Sequence, residues 1–467
     1  MRTYKFELFT NTIEKNIREG IFKPGQKLPS VRQIKEKYQL SSSTVQLGYE
    51  HLILSGVVES IPKSGYYVCN KVSNAEHSVI KHKPVVRDAI FSNHLALTTS
   101  LRMGRKISEF NVAAPGDLVI PQKLLLRTMQ QVIREQGVGL LRYYPASGLY
   151  SLKENIIKQA VHSQTIISPD ELLVTDGALQ ALYIALSATC NSGDVIALDS
   201  PCVFSVLEVI RVLKLKVIEV PVDPVLGFDV DFFNKACGKN TIKAVVVTPN
   251  FHNPTGTVLS DEQKKMLLNI AQRHHIAVIE NDIYGDLYFH GQRPSTIKSF
   301  DDSGLVLTYS SYAKTLAPGI RLGWLSSGQF MERAEQIRFS LGSSVSPLYQ
   351  ETVNRLIEGS SYDRHVRSFR MQLAKNAHFA TNLLLTHFPE NTYVAAPSGG
   401  YNLWIKMPNA IDMNFFYQQC EKIGVRFTPG YTFSFSSAFD PYFRLVFADT
   451  FSPKRIEAIR QLGQRLR

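Results

Sequence analysis

Cysteine is scarce in this chain. Five residues among 467 (Cys69, Cys190, Cys202, Cys237 and Cys420) are odd in number, far apart and without a C-x-x-C pair. That pattern excludes a disulfide framework and a thiolate zinc site, and it points to reduced thiols. No uncharged apolar run reaches the roughly 18 residues that a membrane-spanning helix needs. The opening MRTYKFELFT lacks the apolar stretch and small-residue cleavage site of a secretory signal. The expectation is a soluble, cytoplasmic protein with no metal centre. Repeats and low-complexity segments are also missing. Acidic residues are the minority charge, 40 Asp and Glu against 52 Lys and Arg, for a formal net charge of +12. Such an excess favours a polyanionic partner without by itself establishing one.

Apolar residues make up 44% of the chain and charged residues 20%, enough to bury a large core. The length suits two or three domains. Texture divides the chain in three. Residues 1–70 read as short helices followed by a β-hairpin. Residues 71–106 lack periodicity and carry Lys71, Lys81, Lys83, Arg87, Arg102, Arg105 and Lys106 against Glu76 and Asp88. This is a basic linker, either a solvated tether or one that touches phosphate. From residue 107 to 467, β-branched runs (ELLVTDG, DVIALDS, KAVVVTP, IAVIEND, GLVLTYS) alternate with amphipathic stretches. Alternation of this kind predicts an α/β domain around a mainly parallel sheet buried on both faces. A long polar helix after about residue 360, then strands near YNLWIKM and YFRLVFA, predicts a smaller α+β C-terminal subdomain.

In the first domain, Ser30 is placed to cap a helix that runs to about Tyr38. A second helix starts near Ser41 or Ser43, with Val45, Tyr49 and Leu52 on a buried stripe and Ser42, Ser43, Thr44 and Gln46 at its exposed end. Val57-Val58 and Gly65-Tyr66-Tyr67-Val68 predict a two-stranded wing. Two short helices at an angle, the second with a polar N-terminus, fit a major groove.

The densest chemistry lies in VLTYSSYAKTLAPGIRLGW. Lys314, just past a strand end in S-x-x-K-x-x-x-x-G-x-R-x-G, suits an amine held for Schiff-base formation with an aldehyde. Ser311 and the planar fork of Arg321 suit the phosphate of the same cofactor. Gly177 and Ala178 open a helix whose N-terminus can receive an anion. Asn253 in TPNFHNPTG and Tyr284 in IENDIYGDL supply donors for a phenolate oxygen.

PGQKLPSVRQI, the S-x-x-T-V helix and the G-Y-Y-V wing together resemble the GntR-type winged helix-turn-helix. The ordered strings from residue 107 onward, with YYPASGLYSL (Tyr144, Gly148), PSGGYNLW and TPGYTF, resemble the fold-type-I pyridoxal-phosphate (PLP) aminotransferases. The fusion of the two resembles the MocR family of regulators across nearly the whole chain. The resemblance implies a PLP-dependent DNA-binding regulator. Its implied DNA contacts are Arg32, Ser43, Thr44, Lys63 and Gly65; its implied effector-carboxylate ligand is Arg444. It also implies pyridoxal 5′-phosphate on Lys314, a small-molecule effector such as an amino compound or PLP itself, and a homodimer, commonly head-to-tail, on double-stranded operator DNA. A catalytically active aminotransferase with a secondary DNA-binding domain is the alternative. A cofactor-free scaffold fits less well, because Lys314 and Arg321 are both present.

The chain departs from the family at four points. Ser42 stands where an arginine is usual, and Gly48 where an alanine is usual, at a helix cost of about 1 kcal/mol. Asn281 occupies the register of an aspartate that pairs with the pyridine nitrogen, with Asp282 beside it; neighbouring strand side chains point to opposite faces, so one of the two serves. Val203 stands where many relatives stack an aromatic ring on the cofactor, with Phe204 next to it. The last two departures predict a bound cofactor with slow or absent turnover.

Overall fold

A computed structural model describes residues 7–23, 25–54, 57–61, 64–68, 84–90, 108–342, 344–436 and 438–467. Cys69, Lys63 and the expected linker, apart from 84–90, lie outside the described residues.

The first domain comprises α1 (Glu7–Arg18), α2 (Val31–Tyr38), α3 (Ser42–Leu54) and the hairpin β1 (Val58–Ile61) and β2 (Gly65–Val68). Ser30 and Gln33 form a reciprocal capping box at the start of α2. α3 begins at Ser42, and Ser41 Oγ accepts the Thr44 N–H at 3.1 Å. Val45, Tyr49 and Leu52 fall one turn apart and are fully buried against Phe9, Ile34 and Val68. The Tyr49 ring stacks on Tyr66 of the wing at 3.9 Å, clamping helix to hairpin.

The large domain is built on one sheet, in the order β3 (Arg87–Asp88), β7 (Lys216–Asp223), β6 (Val195–Ser200), β9 (Ile242–Val247), β10 (Ala277–Asn281), β11 (Val306–Ser311), β12 (Gly323–Ser326) and β5 (Leu172–Thr175), with β8 (Gly227–Phe228) on β7. β7, β6, β9, β10 and β11 run parallel, β12 is reversed between β11 and β5, and the two-residue strands β3 and β8 lie antiparallel to β7. Central strands such as Val245–Val247 and Val278–Ile279 are buried on both faces, as their unbroken apolar runs require. Arg87–Asp88, inside the expected linker, pair with Val217 and Lys216 at the sheet edge. β7 hides in the sequence because Glu219 interrupts its apolar run. That carboxylate is buried, and its Oε1 accepts from Ser434 Oγ (2.5 Å), Phe435 N (3.1 Å) and Ser200 Oγ (3.3 Å).

The small subdomain follows α5 (Ser361–His387), taking α4 to be Ala178–Thr189 in the large domain. Its sheet runs β13 (Tyr393–Val394), β14 (Asn402–Lys406), β17 (Tyr442–Val446) and β16 (Thr428–Pro429). Separately, β15 (Val425–Arg426) pairs in parallel with β4 (Ser108–Glu109). Among the described residues no helix is long and apolar enough to cross a membrane.

Glu219 ties the large sheet to the 434–435 loop of the small subdomain. Replacing it with alanine orphans buried donors, and Glu219→Ala is expected to cost about 2–3 kcal/mol. Denaturant unfolding of the variant beside Glu219→Gln, which keeps an acceptor, checks this.

Candidate cofactor and effector site

The parallel strands deliver their carboxyl ends to one place, where ligands gather in open α/β sheets. There a cavity of about 260 Å³ is lined by Lys314, Arg321, Arg444, Asn253, Asn281, Tyr284 and Ser311 among others. Among the described residues its cationic side chains are Lys314, Arg321 and Arg444, and neither aspartate nor glutamate lines it.

Lys314 stands three residues past the end of β11. Its Nζ donates to the Ala113 carbonyl, which also accepts the Tyr401 hydroxyl at 3.0 Å. Burial lowers the affinity of this amine for its proton; Tyr284 works the other way, and Arg444 and Arg321 add to the lowering. A depressed amine pKa is what a Schiff-base lysine needs.

The anion end is formed by the N-terminus of α4, which has no side-chain cap. Gly177 adopts φ +84°, and a Cβ there would come within 3.0 Å of Arg321 Nη2, so glycine meets both the backbone and the close approach. Arg321 Nη2 donates to the Asp176 carbonyl at 2.9 Å, which holds the guanidinium over this turn. Ser311 Oγ lines the cavity and donates to Leu322 O at 3.0 Å. An uncapped helix start beside an arginine fits a phosphate group.

Asn253 Nδ2 donates to the Tyr284 hydroxyl at 3.3 Å, so the two residues proposed for a phenolate stand together. Asn253 Oδ1 accepts from Arg444 Nη1 at 3.0 Å. Arg444 is 1% exposed. Its Nη2 reaches Asn111 O (2.6 Å) and Thr428 Oγ1 (3.0 Å), and its Nε has no partner. Burial lowers its pKa to about 10, opposed by Tyr284 and Tyr401. A buried guanidinium held only by neutral acceptors and facing a cavity suits a ligand carboxylate.

The geometry separates the two residues competing for the pyridine position. Asn281 lines the cavity; Asp282 does not. Asp282 lies behind the sheet, its Oδ2 2.5 Å from Arg293 Nη2 and its Oδ1 accepting from Asn250 at 3.3 Å. Its N–H continues the regular ladder to Tyr309 O at 3.0 Å, so no bulge turns it inward. Of the two alternatives that the sequence left open, Asn281 is the one that reaches the cavity, and the bulge that Asp282 would need is absent from the ladder. Asn281 Oδ1 accepts from Ile283 N at 3.2 Å, which leaves its Nδ2 as the group offered to the cavity.

Val203 and Phe204 both line the cavity at the start of the Phe204–Val212 helix, so no chain rotation is needed to bring the ring to the wall. Tyr144 is elsewhere: its hydroxyl donates to Glu351 at 2.9 Å. Sequence reasoning missed the 111–113 strip, whose backbone carbonyls hold Arg444 and Lys314, and also Tyr401 and Thr428. Carbonyl acceptors leave no residue-type signal.

In the first domain, Arg32 is 88% exposed and pairs with Glu36 at 3.1 Å, a surface contact that leaves the guanidinium open to exchange partners. Ser43 is exposed and Thr44 half-buried; both hydroxyls lie within 2.8 Å of Ser41 Oγ. Gly65 opens β2 with φ +120°.

Residues 10–68 match the model of the bacterial regulatory proteins of the gntR family, and residues 116–462 that of aminotransferase class I and II. The uncharacterized HTH-type transcriptional regulator YjiR of Escherichia coli K12 is 30% identical over 467 residues, covering 98% of each chain. The HTH-type transcriptional regulator NorG of Staphylococcus aureus USA300 is 28% identical over 87% of this chain and 92% of its own. Pyrococcus horikoshii kynurenine aminotransferase superposes with a TM-score of 0.74 at 24% identity, over 81% of this chain and 95% of its own. Thermus thermophilus LysN, an alpha-aminoadipate aminotransferase, gives 0.72 at 22% identity, over 77% and 92%. These two carry the fold alone.

If the residues around the cavity hold PLP, the purified protein absorbs in the visible region, and borohydride reduction leaves a pyridoxyl group on Lys314. Both signals are expected to vanish in Lys314→Ala, as spectrophotometry and peptide mass spectrometry would show. A two-domain match along the whole chain, with a cavity whose donors suit a phosphorylated aldehyde, leads to one assignment: the chain belongs to the MocR-type transcriptional regulators, a GntR winged helix joined to a PLP-dependent class I and II aminotransferase domain.

Proposed function

We propose that this regulator senses a small molecule bearing both a primary amine and a carboxylate, and that occupancy of its cavity changes the grip of the winged helix on operator DNA. The supporting observation is Arg444, a buried cation without a carboxylate partner among the described residues, facing the same cavity as Lys314. Bound PLP supplies an aldehyde for amine capture and a ring for electron withdrawal. The chain's own groups divide the remaining tasks. Lys314 offers the amine, Tyr284 and Asn253 donate at the phenolate position, Gly177, Ala178, Ser311 and Arg321 take the phosphate, and Arg444 orients a carboxylate.

Asn281 tilts this machinery from catalysis towards sensing. An amide N–H presented to the pyridine nitrogen meets an acceptor and does not stabilise a protonated ring. An aspartate there would favour the protonated, more electron-withdrawing form. Turnover in this protein is accordingly slow.

α5 supports a route from cavity to DNA. Tyr362 Oη donates to Thr315 Oγ1 at 3.0 Å, and His365 Nε2 lies 2.8 Å from Thr315 O, next to Lys314. Farther along, Gln372, Phe379 and Leu383 share a cleft with Glu50, Ile53 and Tyr66 of the winged helix. An effector must favour one domain arrangement to act through this helix.

The protein works as a cytoplasmic homodimer that presents paired winged helices to repeated half-sites. Leu118, Leu141 and Tyr143, each at least 77% exposed, provide apolar surface for such an interface. Arg32, Ser43, Thr44, Gly65 and Lys63 of the wing are the proposed DNA contacts.

Three outcomes are expected. Asn281→Asp raises the rate of amino-group transfer to the cofactor, followed as loss of the visible band under single-turnover conditions. Arg444→Ala weakens the response to carboxylate-bearing amines by roughly tenfold or more, a loss of about 1.5–3 kcal/mol for a hydrogen bond to a charged group. Arg32→Ala lowers operator affinity and flattens its salt dependence while the cofactor band is unchanged, as fluorescence anisotropy at several salt concentrations would record.

A further inference from the structure

A second cavity, of about 360 Å³, lies at the seam between the two subdomains of the aminotransferase-like region. Its large-domain wall is the end of β7, the turn into β8 and the first residues of the Val230–Cys237 helix. The small-subdomain wall is aromatic. Trp404 and Tyr442 stack at 5.1 Å and 14°, and Phe439 meets them edge-on at 6.0 and 5.7 Å.

The charge here is the reverse of that around Lys314. Asp223, Asp229 and Asp231 line the cavity, and among the described residues no lysine, arginine or histidine does, in a chain of net charge +12. None of the three carboxylates appears in an ion pair among the described residues. Asp223 Oδ1 accepts from Val225 and Leu226 N–H, and Asp229 Oδ1 caps the helix through Phe232 N–H, so each is bonded through one oxygen. Lys406 stands 5.8 Å from the Tyr442 ring centroid and does not line the cavity. The field of Asp223 also pushes up the Tyr442 hydroxyl, after burial.

We infer that this seam is a second ligand site, for an organic cation with an apolar body: the aromatic wall takes the body and ring faces, and Asp223 and Asp231 take the charge. The inference does not depend on what binds at Lys314. The two cavities have no lining residue in common, but the small-subdomain sheet connects them. Trp404 lies directly across from Arg444 in the β14–β17 ladder. Phe433 packs against both, 5.2 Å from the Trp404 ring and 5.2 Å from Arg444 Cζ. A cation in the seam therefore presses on the frame that holds Arg444.

Benzyltrimethylammonium tests the site, because a quaternary nitrogen has no N–H to condense with an aldehyde. In the cofactor-loaded full chain carrying Trp324→Phe, Trp404 is the remaining tryptophan, and its fluorescence reports on the seam. The expected result is a saturable change that weakens roughly tenfold or more in Asp223→Asn/Asp231→Asn, with the visible band unaltered. Asp231→Asn alone, which leaves the turn bonds of Asp223 and the Asp229 cap in place, gives a second reading in the same direction should the double variant fold poorly. Absence of a saturable change, equal affinity in these variants, or a response confined to the visible band would overturn the assignment.

Discussion

The structure turns on an electrostatic imbalance: Lys314, Arg321 and Arg444 converge on one cavity without a carboxylate among its lining residues. Arg321 stays exposed, but withdrawing a cation such as Arg444 from water is costly, and neutral acceptors return only part of that cost. Arg444 shows the compromise, with Asn253, Asn111 and Thr428 as acceptors and Nε left over. Such a site suits anions from outside the protein. Its two ends differ in kind. The uncapped start of α4 with Arg321 is shaped for a phosphate, whereas Arg444, held inside the small subdomain, is the residue proposed for a carboxylate.

The fold makes this imbalance tolerable. β5, β9, β10 and β11 end around the same opening, so Gly177, Asn253, Asn281 and Lys314 are each fixed by a strand buried on both faces. The small subdomain is tied on through Glu219 and through the Tyr401 and Lys314 donors that share Ala113 O. Any shift of that subdomain moves Arg444 relative to Lys314. α5 begins beside Thr315 and continues to the cleft under α3 and the wing. At 27 residues it spans about 40 Å, long enough to carry a small tilt from the cavity to the DNA-binding surface.

Much of this was legible in the sequence, for identifiable reasons. The Val45–Tyr49–Leu52 stripe, the Ser30 cap and the β-branched runs report local rules that the tertiary structure obeys. The S-x-x-K string just past a strand end marked Lys314, whereas Arg444 was reached only through the resemblance of YFRLVFA to the aminotransferase segment. The choice between Asn281 and Asp282 was not legible. Alternation shows that adjacent residues face opposite ways, but only the ladder with Tyr309 and the Arg293 pair decide which faces the cavity. Nor did β7 announce itself, since donors that satisfy Glu219 lie more than two hundred residues away, at Ser434 and Phe435. The 111–113 strip was silent because it acts through carbonyl oxygens.

The central claim is that the state of the cavity sets the affinity for DNA. The most direct measurement is the dissociation constant of the full-length protein for the DNA upstream of its own reading frame. It should be taken cofactor-free, PLP-loaded, and PLP-loaded with a panel of amino acids and amines at fixed salt. At least one change of cavity state should shift the constant by roughly fivefold or more, the scale of a coupling of about 1 kcal/mol. Equal constants in every state, with specific DNA binding intact, would contradict it.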